Sequence, residues 1–156
     1  MIEIRDKNAG EVIFRAPMDS LAGADLEERD LPEGDLRHKD LRGANLVHAN
    51  LIGADMTGAN LSGADLRGAN LSGVILADAN LTSARLGDGT RHGASLVAGA
   101  NLRNANLSGA DLRYADFYGA DLTGANLTDA DARHTHFNQA KLVLARIWRT
   151  LLIEAN

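Results

Sequence analysis

From Leu21 an apolar residue returns at every fifth position: Leu26, Leu31, Leu36, Leu41, Leu46, Leu51, Met56, Leu61, Leu66, Leu71, Leu76, Leu81 and Leu86. Arg91 interrupts the series and Leu96 resumes it. After one extra residue near Ala98-Gly99 it runs on through Leu102, Leu107, Leu112, Phe117, Leu122, Leu127, Ala132, Phe137 and Leu142. Two positions before each stands a small residue, nearly always Ala between Ala44 and Ala130, and Asp or Asn usually lies between the two. Gly often closes the unit, as in Ala59-Asn60-Leu61-Ser62-Gly63.

A period of five fits neither regular element. On a helix five residues turn roughly 500°, which scatters the leucines around the axis. On a flat strand an odd spacing sends successive leucines to opposite faces. Within one unit, however, the Ala and the Leu share a face and the Asp or Asn between them points the other way. Every Leu reaches a common axis if the chain makes a quarter turn in each unit. Four units then close a coil of 20 residues, and the next coil stacks on it at roughly 4.8 Å, the inter-strand spacing. A second large inward residue on each side would overpack that axis, which explains the Ala. The closing Gly supplies a corner residue tolerant of positive φ.

These A-(D/N)-L-x-x units resemble the pentapeptide-repeat family over about residues 19–140. The resemblance implies an all-β solenoid, a right-handed quadrilateral β-helix, with about six to seven 20-residue coils in this chain. The pattern departs from consensus at Arg29, Gly34 and Lys39, which occupy small-residue slots, and in Gly87–Gly93, which lacks a central Leu. Ile2 and Ile4 face Val12 and Phe14 across Lys7-Asn8-Ala9-Gly10, a hairpin signal. The expected organisation is a β-hairpin cap over 1–18, the β-helix over 19–139 and a C-terminal cap over 140–156. Two readings of that last segment compete. The five-residue register survives as Leu142, Ile147 and Leu152, which would give a further coil. Yet 140–155 has no Gly or Pro and is rich in helix formers, with Leu144, Ile147, Trp148 and Leu151 on one helical side, which favours a helical lid.

Composition narrows the chemistry. With no Cys there are no disulfides, thiolate nucleophiles or Cys-held zinc, a usage that suits the cytoplasm. The N-terminus does not read as a signal peptide, and no run approaches the 18 apolar residues of a membrane span. Residues 1–78 carry 14 acidic and 8 basic side chains, residues 79–156 carry 7 and 8, so the acidity is concentrated in the first half. Gly87-x-Gly89 lacks the strand-then-helix context of a dinucleotide loop. His134 and His136 straddle a corner with no third metal ligand nearby. No catalytic constellation, metal site or cofactor site is expected.

With residues stacked 20 apart, or 21 across the extra residue, one column reads Pro32, Ile52, Ser72, His92, Arg113, Arg133. The next reads Glu33, Gly53, Gly73, Gly93, Tyr114, His134. His92, Arg113, Tyr114, Arg133 and His134 therefore form the candidate interaction patch, directed at an anionic partner unless Asp111 and Asp131 neutralise it. Leu144, Ile147, Trp148 and Leu151 are the candidate cap or dimer contact, through which two copies would join end to end. The expected function is a non-enzymatic rigid scaffold for protein–protein interaction. The alternative comes from the resemblance: quinolone-resistance members imitate duplex DNA and occupy the DNA site of type II topoisomerases, which would make DNA gyrase the partner.

Overall fold

A computed structural model describes residues 1–156. Ile2–Arg5 (β1) and Val12–Ala16 (β2) pair antiparallel, Ile2 opposite Ala16 and Ile4 opposite Phe14. Asp6 builds the turn between them: its Oδ1 accepts the N–H groups of Asn8 and Ala9, both at 2.7 Å. The hairpin lies against the start of the repeat. Asp35 N–H donates to the Arg5 carbonyl at 2.7 Å, Lys7 N–H donates to that of Glu33 at 2.8 Å, and Ile4 is buried in the common core. Gly34 makes room for it, since a Cβ there would sit 3.3 Å from Ile4 Cγ2. Arg29, in another small-residue slot, stays exposed, with its guanidinium 5.9 Å from the centre of the Phe14 ring.

Beyond the hairpin the chain is a β-helix solenoid. In the first coils each Asp/Asn slot forms a parallel bridge with the residue 20 further on: Asp25 with Asn45, Asp30 with Asn50, Asp35 with Asp55, Asp40 with Asn60. One unit shows how the coils are joined. Asn45 N–H donates back to Ala24 at 2.9 Å, while Leu46 and His48 donate forward to Asp65 and Arg67 at 2.7 and 3.0 Å. Ala49 N–H then closes the corner on the Leu46 carbonyl at 3.0 Å. These pairings satisfy the backbone within pieces only a few residues long, so extended strands never develop outside the hairpin. The inward Leu and Ala side chains join in one continuous core of 40 buried residues.

The register changes once, and not where the period places it. Upstream bridges span 20 residues, but Asn70–Leu96, Ile75–Asn101, Asn80–Asn106 and Arg85–Asp111 span 26. Six residues are therefore added in one excursion, Gly87–Ala94, after which the spacing returns to 20. Val97 is the inward residue, fully buried, while Leu96 faces out at 48% exposure. Ser95 fills the small slot between the excursion and the next side. Its N–H donates to the Leu86 carbonyl at 2.8 Å, and its buried Oγ lies 2.6 Å from the Leu66 carbonyl and 2.9 Å from that of Leu86. Because six residues displace a five-residue period by the same single position as one residue does, the downstream series reads alike in either case. Every downstream side is nevertheless shifted by one face. Phe117 and Phe137 do stack, with centroids 5.4 Å apart. They continue the column of Leu31, Leu51, Leu71 and Val97, whereas a single added residue near Ala98-Gly99 would have aligned them with Leu36, Met56 and Leu76.

Residues 140–156 correct the helical-lid expectation: they form a further coil. Lys141, Arg146 and Leu151 bridge Asp121, Asn126 and Asp131, and no helix occurs. The exposed edge of the preceding coil offers ready hydrogen-bond partners, and Ala140, Ala145 and Thr150 fit the small slots. That outweighs helix propensity, even though Gln139, Leu144, Arg149 and Glu154 must adopt φ of +55 to +60°.

Leu66 is buried between neighbouring coils, whereas Leu152 on the last coil is 42% exposed. Leu66→Ala should cost about 2–5 kcal/mol, measured by denaturant unfolding, through the cavity it leaves. Leu152→Ala should cost clearly less. Equal losses at the two sites would contradict this packing.

Candidate interaction surface

The chemistry of the surface begins with a three-residue motif. In an extended segment, residues two apart point the same way, so Asp111 and Arg113 both face out on either side of the buried Leu112. They meet as a fork: Nε donates to Oδ1 at 2.8 Å and Nη2 to Oδ2 at 2.6 Å. Asp131 and Arg133 repeat it at 2.8 and 2.7 Å, and so do Asp35–Arg37, Asp40–Arg42 and Asp65–Arg67. The carboxylates respond. The Arg37 guanidinium and N–H pull Asp35 down to about 2 against the opposing effect of burial. The Arg133 guanidinium likewise lowers Asp131. Asp111 in turn raises Arg113, and Asp131 raises Arg133.

Neighbouring coils extend the pairing. Arg85 reaches Asp65 at 3.1 Å and Arg113 reaches Asp131 at 3.7 Å. Arg113 and Arg133 still sit one above the other and oppose each other's charge, but Asp131 and Asp111 outweigh that repulsion, so the candidate patch is largely neutralised.

Four of the five patch residues come together. Arg113, Tyr114, Arg133 and His134, with Gly89 of the excursion, line a hollow of about 140 Å³. The Tyr114 and His134 rings stack at 4.5 Å with 12° between their planes, and His134 Nδ1 lies 2.9 Å from Glu154 Oε2. His92 stands apart, exposed on the excursion and outside this hollow. Its place over Arg113 depended on the 21-residue spacing; the true column puts Gly87 there. Asp88, Arg91, Leu96 and His136 also gather around this corner, and the sequence reading did not include them. The recurring Asp-Leu-Arg tripeptide was a legible sign of the forks. The length of the excursion had no comparable sign.

The second candidate surface is the last coil. Leu144 is 83% exposed and Trp148 69%, with Ile147 and Leu151 about half exposed, and Leu142, Val143, Leu152 and Ile153 join them. Arg149 lies 5.4 Å over the Trp148 ring. No group of three His, Asp or Glu side chains is placed to hold a metal ion.

The family model described as pentapeptide repeats matches residues 20–58, 59–88, 97–129 and 120–156, in eight copies. Among solved structures, the chain is similar to a pentapeptide repeat protein of the cyanobacterium Cyanothece 51142, at 27% identity. That match covers 86% of this chain and 85% of the other, with a TM-score of 0.39. A trypsin-treated form of QnrB1, a plasmid-mediated fluoroquinolone resistance protein, is similar at 17% identity, over 86% and 71%, with a TM-score of 0.51. No curated protein sequence matches the chain.

Asp35 and Asp131 ionise at lower pH in the fold than the ordinary 3.8. Their forks therefore add stability that is complete above about pH 4 and lost as pH falls toward 2. The melting temperature should drop across that range. The Asp35→Asn/Asp131→Asn variant should melt lower at pH 7 and depend less on pH below 4. An unaltered acid limb would show that the forks do not couple to folding.

Proposed function

The chain belongs to the pentapeptide-repeat family, and on that premise we propose that it is a non-enzymatic rigid scaffold for protein–protein interaction that also binds a second copy of itself. The observation that carries this reading is the apolar surface of the last coil. There the inward Leu142, Ile147 and Leu152 are partly uncovered, and the outward Val143, Leu144, Trp148, Leu151 and Ile153 extend the same surface. Such a patch is costly in water and marks an interface. A two-fold contact covers it on both copies with one arrangement, joining two rods end to end. The regular faces, by contrast, present paired charges and a column of neutral Asn60, Asn80, Asn106 and Asn126.

A second reading, modulation of DNA gyrase by DNA mimicry, draws on the first coil. Asp25, Glu27, Glu28 and Asp30 are all exposed there and form no ion pair with a cationic side chain. The likeness to QnrB1 supports the fold and adds nothing about the partner. Further along, Asp35, Asp40, Asp65, Asp111 and Asp131 are each forked by an arginine, which weakens any imitation of a phosphate row.

Light scattering at micromolar concentration should give twice the 16.5 kDa chain mass. Trp148→Asp with Leu151→Asp should return a monomer with unchanged circular dichroism. A wild-type species of 16.5 kDa alone would remove the self-association. Inhibition of gyrase supercoiling by the titrated protein, lost on neutralising Asp25, Glu27, Glu28 and Asp30, would favour the second reading instead.

A further inference from the structure

The only excursion from the solenoid is tied down at both ends. Leu86 and Ser95 are joined through a 2.8 Å backbone hydrogen bond. Within the loop, Asp88 Oδ1 accepts from Thr90 N–H at 2.8 Å and Thr90 Oγ1 at 2.7 Å, and Gly93 N–H donates to Thr90 Oγ1 at 3.3 Å. Its far side is pinned to the preceding coil, with Gly68 N–H donating to the Gly93 carbonyl at 3.1 Å. A compact loop of this kind, with joined ends, presents its side chains from a defined position.

Beside it lies a hollow of about 230 Å³, separate from the one at Arg113 and sharing Tyr114 as a wall. Arg91, Ala94, Leu96, Tyr114, Asp116 and His136 line it. Three features select an occupant. The volume falls below the roughly 300–1,000 Å³ of small-molecule and cofactor sites, so it suits one or two side chains of a larger partner. Leu96, at 48% exposure, and the Tyr114 ring provide an apolar wall where neighbouring coils present Asp116 and Asn70. The charges are placed at opposite roles: Arg91 forms no ion pair, unlike Arg113 and Arg133 on the adjoining face. Asp116 spends Oδ1 on the Tyr118 N–H at 3.0 Å and keeps Oδ2 for another donor.

We propose that this hollow binds a short extended peptide segment of a partner protein, one apolar side chain seated against Leu96 and Tyr114 and a neighbouring acidic residue at Arg91. A backbone N–H of the same segment donates to Asp116 Oδ2. An anchor in a preformed pocket flanked by one charge contact is the usual economy of a binding hot spot. The inference rests on the reading of the chain as a protein-binding scaffold and adds where a partner other than a second copy would sit.

Panning a phage-displayed library of short random peptides against the full chain tests it. Enriched peptides should share an apolar residue with Asp or Glu close by. Their affinity, measured with the synthetic peptides, should fall at least about tenfold for Leu96→Asp, a loss of about 1.4 kcal/mol. Arg91→Glu should do the same, and panning on that variant should enrich Lys or Arg in place of the acid. Both side chains are exposed, so circular dichroism should be unchanged. Trp148→Asp should leave peptide binding intact. Absence of enrichment, or peptides indifferent to Leu96→Asp and Arg91→Glu, overturns the site. Peptides lost only with Trp148→Asp overturn the site yet keep the scaffold reading, with the last coil as its surface.

Discussion

Coils stacked at strand spacing leave each inward side chain one neighbour above and one below, and the rest of the molecule follows from that restriction. Four leucines per turn fill the axis, so the other inward position on each side must be small. The corner between sides must carry a residue at positive φ, whichever side chain it bears. Where His38 and His48 take that corner, the coil after each supplies Gly58 and Gly68, and a Cβ on either glycine would run into the imidazole. Bulk at one level is thus matched by its absence at the next. The same restriction makes the two ends different from the middle. The hairpin meets the first coil with backbone hydrogen bonds and Ile4, while the last coil leaves its leucines partly in water.

The outward positions obey a separate logic. An Asp in its slot can accept the N–H two residues on, and an Arg at that second residue then lies within reach of the same carboxylate. The charges of five units are satisfied locally in this way before any partner is met. What remains available for recognition is whatever breaks the rule. That is the apolar last coil, the acidic first coil, and the corner where Tyr114 and Leu96 stand beside an unpaired Arg91.

Much of this was legible in the residues. The spacing of Leu21 to Leu86 established a solenoid with a quarter turn per unit, and Ile2, Ile4, Val12 and Phe14 marked the hairpin. The pairing of Phe117 with Phe137 also followed from spacing, because no insertion lies between them. Four of the five forks were implicit in Asp-Leu-Arg, and the fifth lies in Asp131-Ala132-Arg133.

Tertiary structure alone could decide three matters. The first is the size of the excursion: one added residue and six leave the same period of five, so only the carbonyls awaiting Ser95 place Val97 inside and Leu96 outside. That shift removed His92 from the column of Arg113 and put the arginines of Asp65, Asp111 and Asp131 on a common face. The second is the state of residues 140–156, whose composition suits a helix and whose period suits a coil. A free coil edge, absent from any local reading, tips that balance. The third is the surface itself. Sequence determined which units repeat along this chain, but which unit lies beside which depends on bridges between residues 20 or 26 apart, and those form only once the coils have stacked.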